Sequence, residues 1–479
     1  MAMITILNLI KTKTIMKKLK SFMMLILFLS AQPLFVACGG DDDATDSGNQ
    51  QVTIGDDGKA SNGSVFSSID DKNFYLDYIK YTVKEGHLAV SGYDKSGFKG
   101  VANIVSSITY KGNFYEVLEI SDKAFNNCDG LISVSIPTCV TKIGSYAFGG
   151  CYNLTSMDIK DLSAWCKISF YNYASNPLLF VHHLYLNGKE VKDLNIPTDV
   201  TKINSYTFTG CNSLNSITIH KNITSIGRSA FAYCGGLTNI TVEEGNSNYD
   251  SRDNCNAIIQ TSTKTLVTGC SKTIIPNDIT SIASDAFKGC EGLESLTIPS
   301  SVTSIGYETF SGCKGLTSLR IEDGTQELGL DNSGLSGCPL TTLYMGRNVS
   351  FQSGDPSYSP FSNKKNLSSL TFGSGVTSIP RYTFSGCNSL VSLTIPQNVK
   401  YINGTAFEQC SGLTSIHCLS SIPPETPNEY WNLAFYSGIY YGDETNAAYK
   451  KATLYVPKGS IEAYKSKYEW GLFENIVEE

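Results

Sequence analysis

The chain has 479 residues, long enough to bury a large core, with 37 Lys and Arg against 44 Asp and Glu, a net charge of −7, and only 17% of residues charged. That balance weighs against nucleic acid as a partner, because phosphate binding needs a concentrated basic face. A hydrophobic content of 41% with 27 Tyr and 22 Phe excludes wholesale disorder, and only five His beside 15 Cys argues against a zinc array.

Met16-Lys17-Lys18-Leu19-Lys20 is a short cationic stretch, followed by the apolar run Phe22 to Leu29 and by Ser30 to Cys38, the order of a secretion signal. The run is shorter than the ~20 residues of a spanning helix and is broken by Gln32-Pro33, so residues 1–37 are expected to be a signal peptide, with translation starting at Met16. Phe35-Val36-Ala37-Cys38 resembles a bacterial lipobox, with Phe where Leu is usual. The resemblance implies that the Cys38 thiol is lipidated and becomes the first mature residue; an ordinary cleavage site with Cys38 incidental is the alternative. Gly39-Gly40-Asp41-Asp42-Asp43 resembles the surface-export signal of Bacteroidetes lipoproteins, which implies an outer-membrane anchor facing outward. Residues 38–63, rich in Gly, Ser, Asp and Asn, read as a flexible tether. Residues 64–116 read as a β-rich N-terminal cap, with Lys111-Gly112-Asn113 as a turn.

Residues 117–421 carry an internal repeat. Its clearest copy is Leu293-x-x-Leu296-x-Ile298-Pro299-x-x-Val302-x-x-Ile305, then Phe310-x-x-Cys313, with the next copy starting at Leu316. The apolar position before the frequent proline falls at Ile136, Ile159, Ile196, Ile219, Val242, Ile275, Ile298, Ile321, Met345, Phe372, Ile395 and Cys418, most often at a spacing of 23. Leu-x-x-Leu-x-Ile alternates as a short strand, Val-x-x-Ile is a second extended piece, and Phe-x-x-Cys ends the return turn. One such coil cannot bury its apolar side alone, so the repeat predicts a solenoid with a parallel sheet on one face. Two spacings are enlarged, placing insertions near 160–185 and 245–270 that are expected to leave one edge as loops; in the second, Asn256 to Ile259 is expected to form a hairpin with Lys264 to Val267. Residues 422–479 read as a C-terminal cap, with a strand at Leu454-Tyr455-Val456 and a helix from Ser460 through Trp470 whose Ile461, Tyr464 and Tyr468 share a face.

These phrases, as in Ala147-Phe148-Gly149-Gly150-Cys151 and Phe384-Ser385-Gly386-Cys387-Asn388-Ser389-Leu390, resemble the leucine-rich repeats of the BspA-like family of bacterial surface proteins. The resemblance covers about residues 117–421 and implies a leucine-rich repeat solenoid, α/β in class but β-dominated. It lacks the Asn that follows the strand in the longest-known leucine-rich repeats. It also implies adhesion to a host protein, extracellular matrix or another bacterium, without catalysis.

Eight cysteines sit in Phe-x-x-Cys, and their spacing makes them stacked interior residues rather than metal ligands. Cys139, Cys166, Cys255, Cys270 and Cys418 could pair as disulfides in an oxidising envelope. His182-His183 has no partners visible by spacing, and no nucleophile, phosphate-loop or zinc-protease signature is present, so no cofactor or metal is expected. The outward strand positions run Ser135, Asp158, Asn195, Thr218, Thr241, Ile274, Thr297, Arg320, Tyr344, Thr371, Thr394 and His417. Within this column Arg320, Tyr344 and His417 are candidate partner anchors, joined by Trp165 and Tyr171 of the first insertion and Trp431 of an aromatic cluster near the C-terminus. A glycan-binding lipoprotein serving nutrient uptake, an envelope scaffold, and an enzyme with dispersed carboxylates are the rival readings.

Overall fold

The computed structural model describes residues 50–351, 359–427, 433–436 and 448–479; the signal sequence, Cys38, Tyr430 and Trp431 lie outside these residues. Each coil folds as its alternation dictates. Strand Ser295–Ile298 buries Leu296 and Ile298 and turns Ser295 and Thr297 to solvent. Neighbouring coils pair in parallel and in register, so Leu296 lies opposite Leu319, then Leu343, then Leu370. All twelve positions of the repeat marker, from Ile136 to Cys418, are buried. The Val-x-x-Ile pieces stack likewise into a second row, with Ser281–Ile282, Ser304–Ile305, Leu328–Leu330 and Val349–Phe351 hydrogen-bonded in sequence. The result is the β-dominated solenoid that the repeat predicts.

The return turns add two internal ladders. Phe125 and Phe148 stack at 5.5 Å, Phe208 and Phe231 at 5.5 Å, and Phe384, Phe407 and Phe435 at 5.4 and 5.2 Å. Beside them six cysteine thiols donate to the phenylalanine carbonyl of the preceding coil, among them Cys151 to Phe125 at 3.0 Å, Cys313 to Phe287 at 3.0 Å, Cys387 to Phe361 at 3.3 Å and Cys410 to Phe384 at 3.2 Å. At these positions cysteine is a hydrogen-bond donor as well as a small apolar residue, a role that Ala or Val could not fill. All fourteen described cysteines are free thiols.

The sheet face is less continuous than the repeat predicts. Its strands fall into separate hydrogen-bonded groups, with breaks after Leu186, after Val242 and after Gly375. The break after Val242 has a local cause: the Ile274 N–H, which would sit in the ladder, instead donates to the Cys255 carbonyl of the second insertion at 3.0 Å.

Neither insertion is a simple edge loop. In the first, Ser169–Phe170 pairs with Lys142–Ile143 and Tyr185–Leu186 pairs with Asp158–Ile159, so the insertion is itself a divergent coil. Asn187 and Gly188, with φ of 52° and 74°, then turn the chain into a hairpin. Trp165, Phe170, Leu178 and Val181 are buried in the core. In the second, the expected hairpin forms between Ala257–Gln260 and Thr265–Gly269. Because side chains alternate along a strand, Ile258 joins the core that extends back to Val52, while Ala257 and Ile259 join the core that extends forward to Phe473. The hairpin is a partition between two apolar cores.

The N-terminal cap is an antiparallel meander through Phe66–Ser68, Asn73–Leu76, Ile79–Lys84 and His87–Tyr93, with the expected turn at Lys111 and Gly112. Strand Gln51–Thr53 pairs with Ser107–Tyr110 and buries Val52, so residues from 50 onward, read from composition as tether, belong to the cap. At the other end the strand Thr453–Val456 forms as expected, but the helix covers only Ile461–Lys465. Tyr464 and Trp470 are buried, Tyr468 is exposed, and a further strand Asn475–Glu478 extends the sheet. Among the described residues no helix is long and apolar enough to cross a membrane.

Candidate functional site

The outward column is real. Asp158 lies opposite Ser135, Thr218 opposite Asn195 and Thr241, Thr297 opposite Arg320, Arg320 opposite Tyr344, and Thr394 opposite His417. Most of it is small hydroxylated side chains, which suit cross-strand contacts. Two places differ.

The first is the run Ile274, Thr297, Arg320, Tyr344, one residue from each of four successive coils. Ile274 is 76% exposed on the outward side. The Arg320 guanidinium lies 3.9 Å from the Tyr344 ring centroid, a cation–π contact that fixes both side chains. The Tyr344 hydroxyl donates to Asp323 Oδ2 at 2.5 Å, and Asp323 Oδ1 accepts from the Ser374 N–H at 2.7 Å and its hydroxyl at 3.0 Å. These bonds, the Tyr344 hydroxyl foremost, hold the Asp323 carboxyl below the usual carboxylate range. Gly373 makes the arrangement possible, since a Cβ there would sit 2.3 Å from Asp323 Oδ1 and 2.6 Å from the Tyr344 hydroxyl. A concavity of about 510 Å³ beside Ile274 and Thr297 is lined by Lys272, Glu294 and Glu322.

The second is His417, whose ring stacks on Tyr455 at 4.4 Å and lies 3.0 Å from the Glu479 carboxylate. Thr371 and Thr394 occupy the coils between Tyr344 and His417. Arg320 and Tyr344 therefore form one pair while His417 lies apart against Tyr455, and the three column candidates do not make one patch.

The insertion candidates part company. Trp165 is 2% exposed and its indole N–H donates to the Thr207 carbonyl at 3.0 Å, so it is a core residue and offers no binding surface. Apolar content and a helical cap at Asp161 put it inside, a placement that its aromatic neighbours in sequence concealed. Tyr171 is 71% exposed. Trp431 falls outside the described residues. Of the histidine doublet both rings are exposed, with His183 Nδ1 2.6 Å from Glu190 Oε1 and His182 Nδ1 3.3 Å from the Gly210 carbonyl. Ile274 is the one aliphatic side chain of the outward column, and it is exposed as that position implies.

Among the described residues no three His, Cys, Asp or Glu side chains converge to hold a metal ion. Burial pushes the Cys151, Cys166 and Cys387 thiols up to about 12, so these cysteines are not poised nucleophiles.

Solved structures similar to the chain include a leucine-rich cell surface protein from Faecalibacterium prausnitzii, at 20% identity over 86% of this chain and 96% of that one, with a TM-score of 0.35. A leucine-rich repeat protein from Bacteroides ovatus matches at 23% identity over 85% and 99%, TM-score 0.39, and one from Eubacterium ventriosum at 20% over 77% and 99%, TM-score 0.47. No curated protein matches the chain. The model of the BspA type leucine-rich repeat region matches residues 93–182, 180–269, 267–350 and 357–435, and with these repeats spanning most of its length the chain belongs to the BspA-type leucine-rich repeat family.

Proposed function

We propose that the protein is a lipid-anchored cell-surface receptor that binds a macromolecular partner, a host or matrix protein or another bacterium's surface, through the sheet face around Ile274, Arg320 and Tyr344. It does so without catalysing a reaction. The observation that carries this reading is the row itself: an exposed aliphatic side chain, a threonine and a stacked Arg–Tyr pair on consecutive coils. Tyr and Arg are frequent binding anchors, and an arginine already held on a ring loses less freedom on docking. Asp323 serves here as a fixed acceptor for Tyr344 and Ser374, a positioning task rather than acid–base chemistry. The family, the similarity to a protein described as a cell surface protein, and the order of residues before Cys38 support the surface placement.

The test titrates the purified chain and an Arg320→Ala/Tyr344→Ala double variant against a panel of extracellular-matrix and host-surface proteins. The reading expects a partner that binds the native chain and is weakened about tenfold or more by the double variant. No binding partner in the panel, or binding indifferent to the double variant, overturns it.

A further inference from the structure

A second surface lies away from the sheet face, on the edge where Phe-x-x-Cys turns back. There the first insertion folds against the turn of the preceding coil and encloses an open groove of about 640 Å³, within the ~300–1,000 Å³ range of small-ligand sites. Its walls are the rings of Tyr146, Tyr152, Tyr173 and Phe180, with Asn126 and Asn127 along one side and His182 at an end. No Lys, Arg, Asp or Glu lines it. Tyr152 is 81% exposed and is held upright by an edge-on contact with Phe180 at 6.0 Å, while Tyr146 and Tyr173 are also exposed. Tyr152 is thus an aromatic face held in place and left largely uncovered, beside two half-exposed tyrosines.

The floor is built by two glycines. At Gly150, with φ of 76°, a Cβ would lie 2.3 Å from Asn127 Oδ1; at Gly149 it would lie 2.8 Å from Asn126 Oδ1 and 3.1 Å from the Tyr146 ring. The second glycine is not demanded by the coil. The equivalent positions in other coils are Ser311 and Ser385, so Gly149 keeps the groove open rather than making the turn possible. Among the described residues neither the Asn126 nor the Asn127 side chain makes a hydrogen bond, which leaves two lining amides with free donors and acceptors.

We propose that this groove binds a short, uncharged oligosaccharide. A sugar ring presents an apolar C–H face that packs on tyrosine and an equator of hydroxyls that amides bind in both directions, and the lining offers these two features. A phosphorylated, sulfated or carboxylated ligand would find no fixed counter-charge among the lining residues. The first insertion supplies Tyr173, Phe180 and His182, and the two preceding coils supply Asn126, Tyr146 and Tyr152, so the groove exists only because the divergent coil packs there. The site stands apart from the sheet-face reading, and either can fail alone.

The test screens the purified chain on an array of neutral and sulfated oligosaccharides and follows the strongest neutral hit by titration calorimetry. Tyr152→Ala and Gly149→Ser are compared with the native chain, and Phe114→Ala, an exposed ring on the N-terminal cap hairpin, serves as control. Tyr152 is too exposed for its removal to unfold the chain, and Gly149→Ser introduces a residue that sister coils already carry. Expected is binding of a neutral glycan that falls about fivefold or more in each groove variant and is unchanged in Phe114→Ala. Binding of sulfated glycans only, binding untouched by both groove variants, or no glycan binding at millimolar concentration overturns the proposal.

Discussion

Lys364 Nζ donates to the Leu335 carbonyl at 2.5 Å, across the same step at which the Cys313, Cys387 and Cys410 thiols donate to phenylalanine carbonyls of their preceding coils. In this coil the sequence reads Phe361-Ser362-Asn363-Lys364, with lysine where the repeat has cysteine. The bond is kept while the charge is new, and burial lowers the ammonium below its ordinary pKa of 10.5.

Lys364→Cys is therefore expected to stabilise the chain by about 1 kcal/mol at pH 7, because it restores a neutral donor and removes a desolvated charge. The depressed folded value sets the sign with pH. Below it lysine is charged in both states and the full penalty applies; as pH rises through it toward 10.5, the folded state sheds its proton first and the native chain gains stability. The advantage of Lys364→Cys, measured by urea midpoints, should shrink toward pH 10. A variant that is less stable at pH 7 contradicts this account of the ladder.

Glu469 closes the C-terminal end. Its Oε1 accepts from the Ala434 N–H at 2.6 Å, the Phe435 N–H at 3.3 Å and the Tyr449 hydroxyl at 2.6 Å, and among the described residues Oε2 has no hydrogen-bond partner. Burial pushes the carboxyl up to about 7 despite these donors. A raised folded value means that its stabilising share is complete below the unfolded value near 4.5 and is lost as pH rises through about 7. Stability should fall by about 3 kcal/mol between pH 4.5 and pH 8 on this group's account. Glu469→Gln should flatten that dependence and melt higher than the native chain at pH 8, as read by thermal denaturation at both pH values.

The two aromatic candidates of the first insertion should respond oppositely to truncation. Trp165→Ala empties a core site and loses the bond to Thr207, so about 3–5 kcal/mol of stability is expected to go. Tyr171→Ala, at an exposed ring, should change stability by less than about 0.5 kcal/mol. Paired denaturant titrations check both.

Thiol chemistry gives a further check. Among the described cysteines thirteen are buried, and burial pushes thiols such as Cys151, Cys166, Cys387 and Cys418 up to about 12. Iodoacetamide at pH 8 should leave them unmodified in the folded chain and alkylate them fully in denaturant, by intact-mass analysis. Fast labelling of the native chain would mean that the ladder is open to solvent.

Much of this architecture was legible because the repeat states its own geometry. Leu296, Ile298 and Phe310 alternate and recur at a fixed spacing, and stacking is the one way to bury them all. The hairpin at Ala257–Gln260 was legible from its two apolar runs, but not its role as a partition, since Ile258 and Ile259 look alike in sequence and differ only in which core each meets. Tyr185–Leu186 does not read as a coil strand in sequence because its spacing departs from 23, although Asn187-Gly188 marks the turn that follows it. The Arg320–Tyr344 pair was legible as neighbours in a column, whereas the clamp brings together Asp323, just beyond the Arg320 strand, and Ser374, on the strand after that of Tyr344. The tyrosine groove was hidden because its walls come from both sides of an insertion boundary.

The most direct test of the central claim, a surface receptor on a lipid anchor, is protease shaving of intact native cells combined with mass analysis of the processed N-terminus. The account predicts that the solenoid is lost from intact cells and that the mature chain begins at an acylated Cys38. A solenoid protected until the envelope is broken, or an unmodified N-terminus, would contradict it.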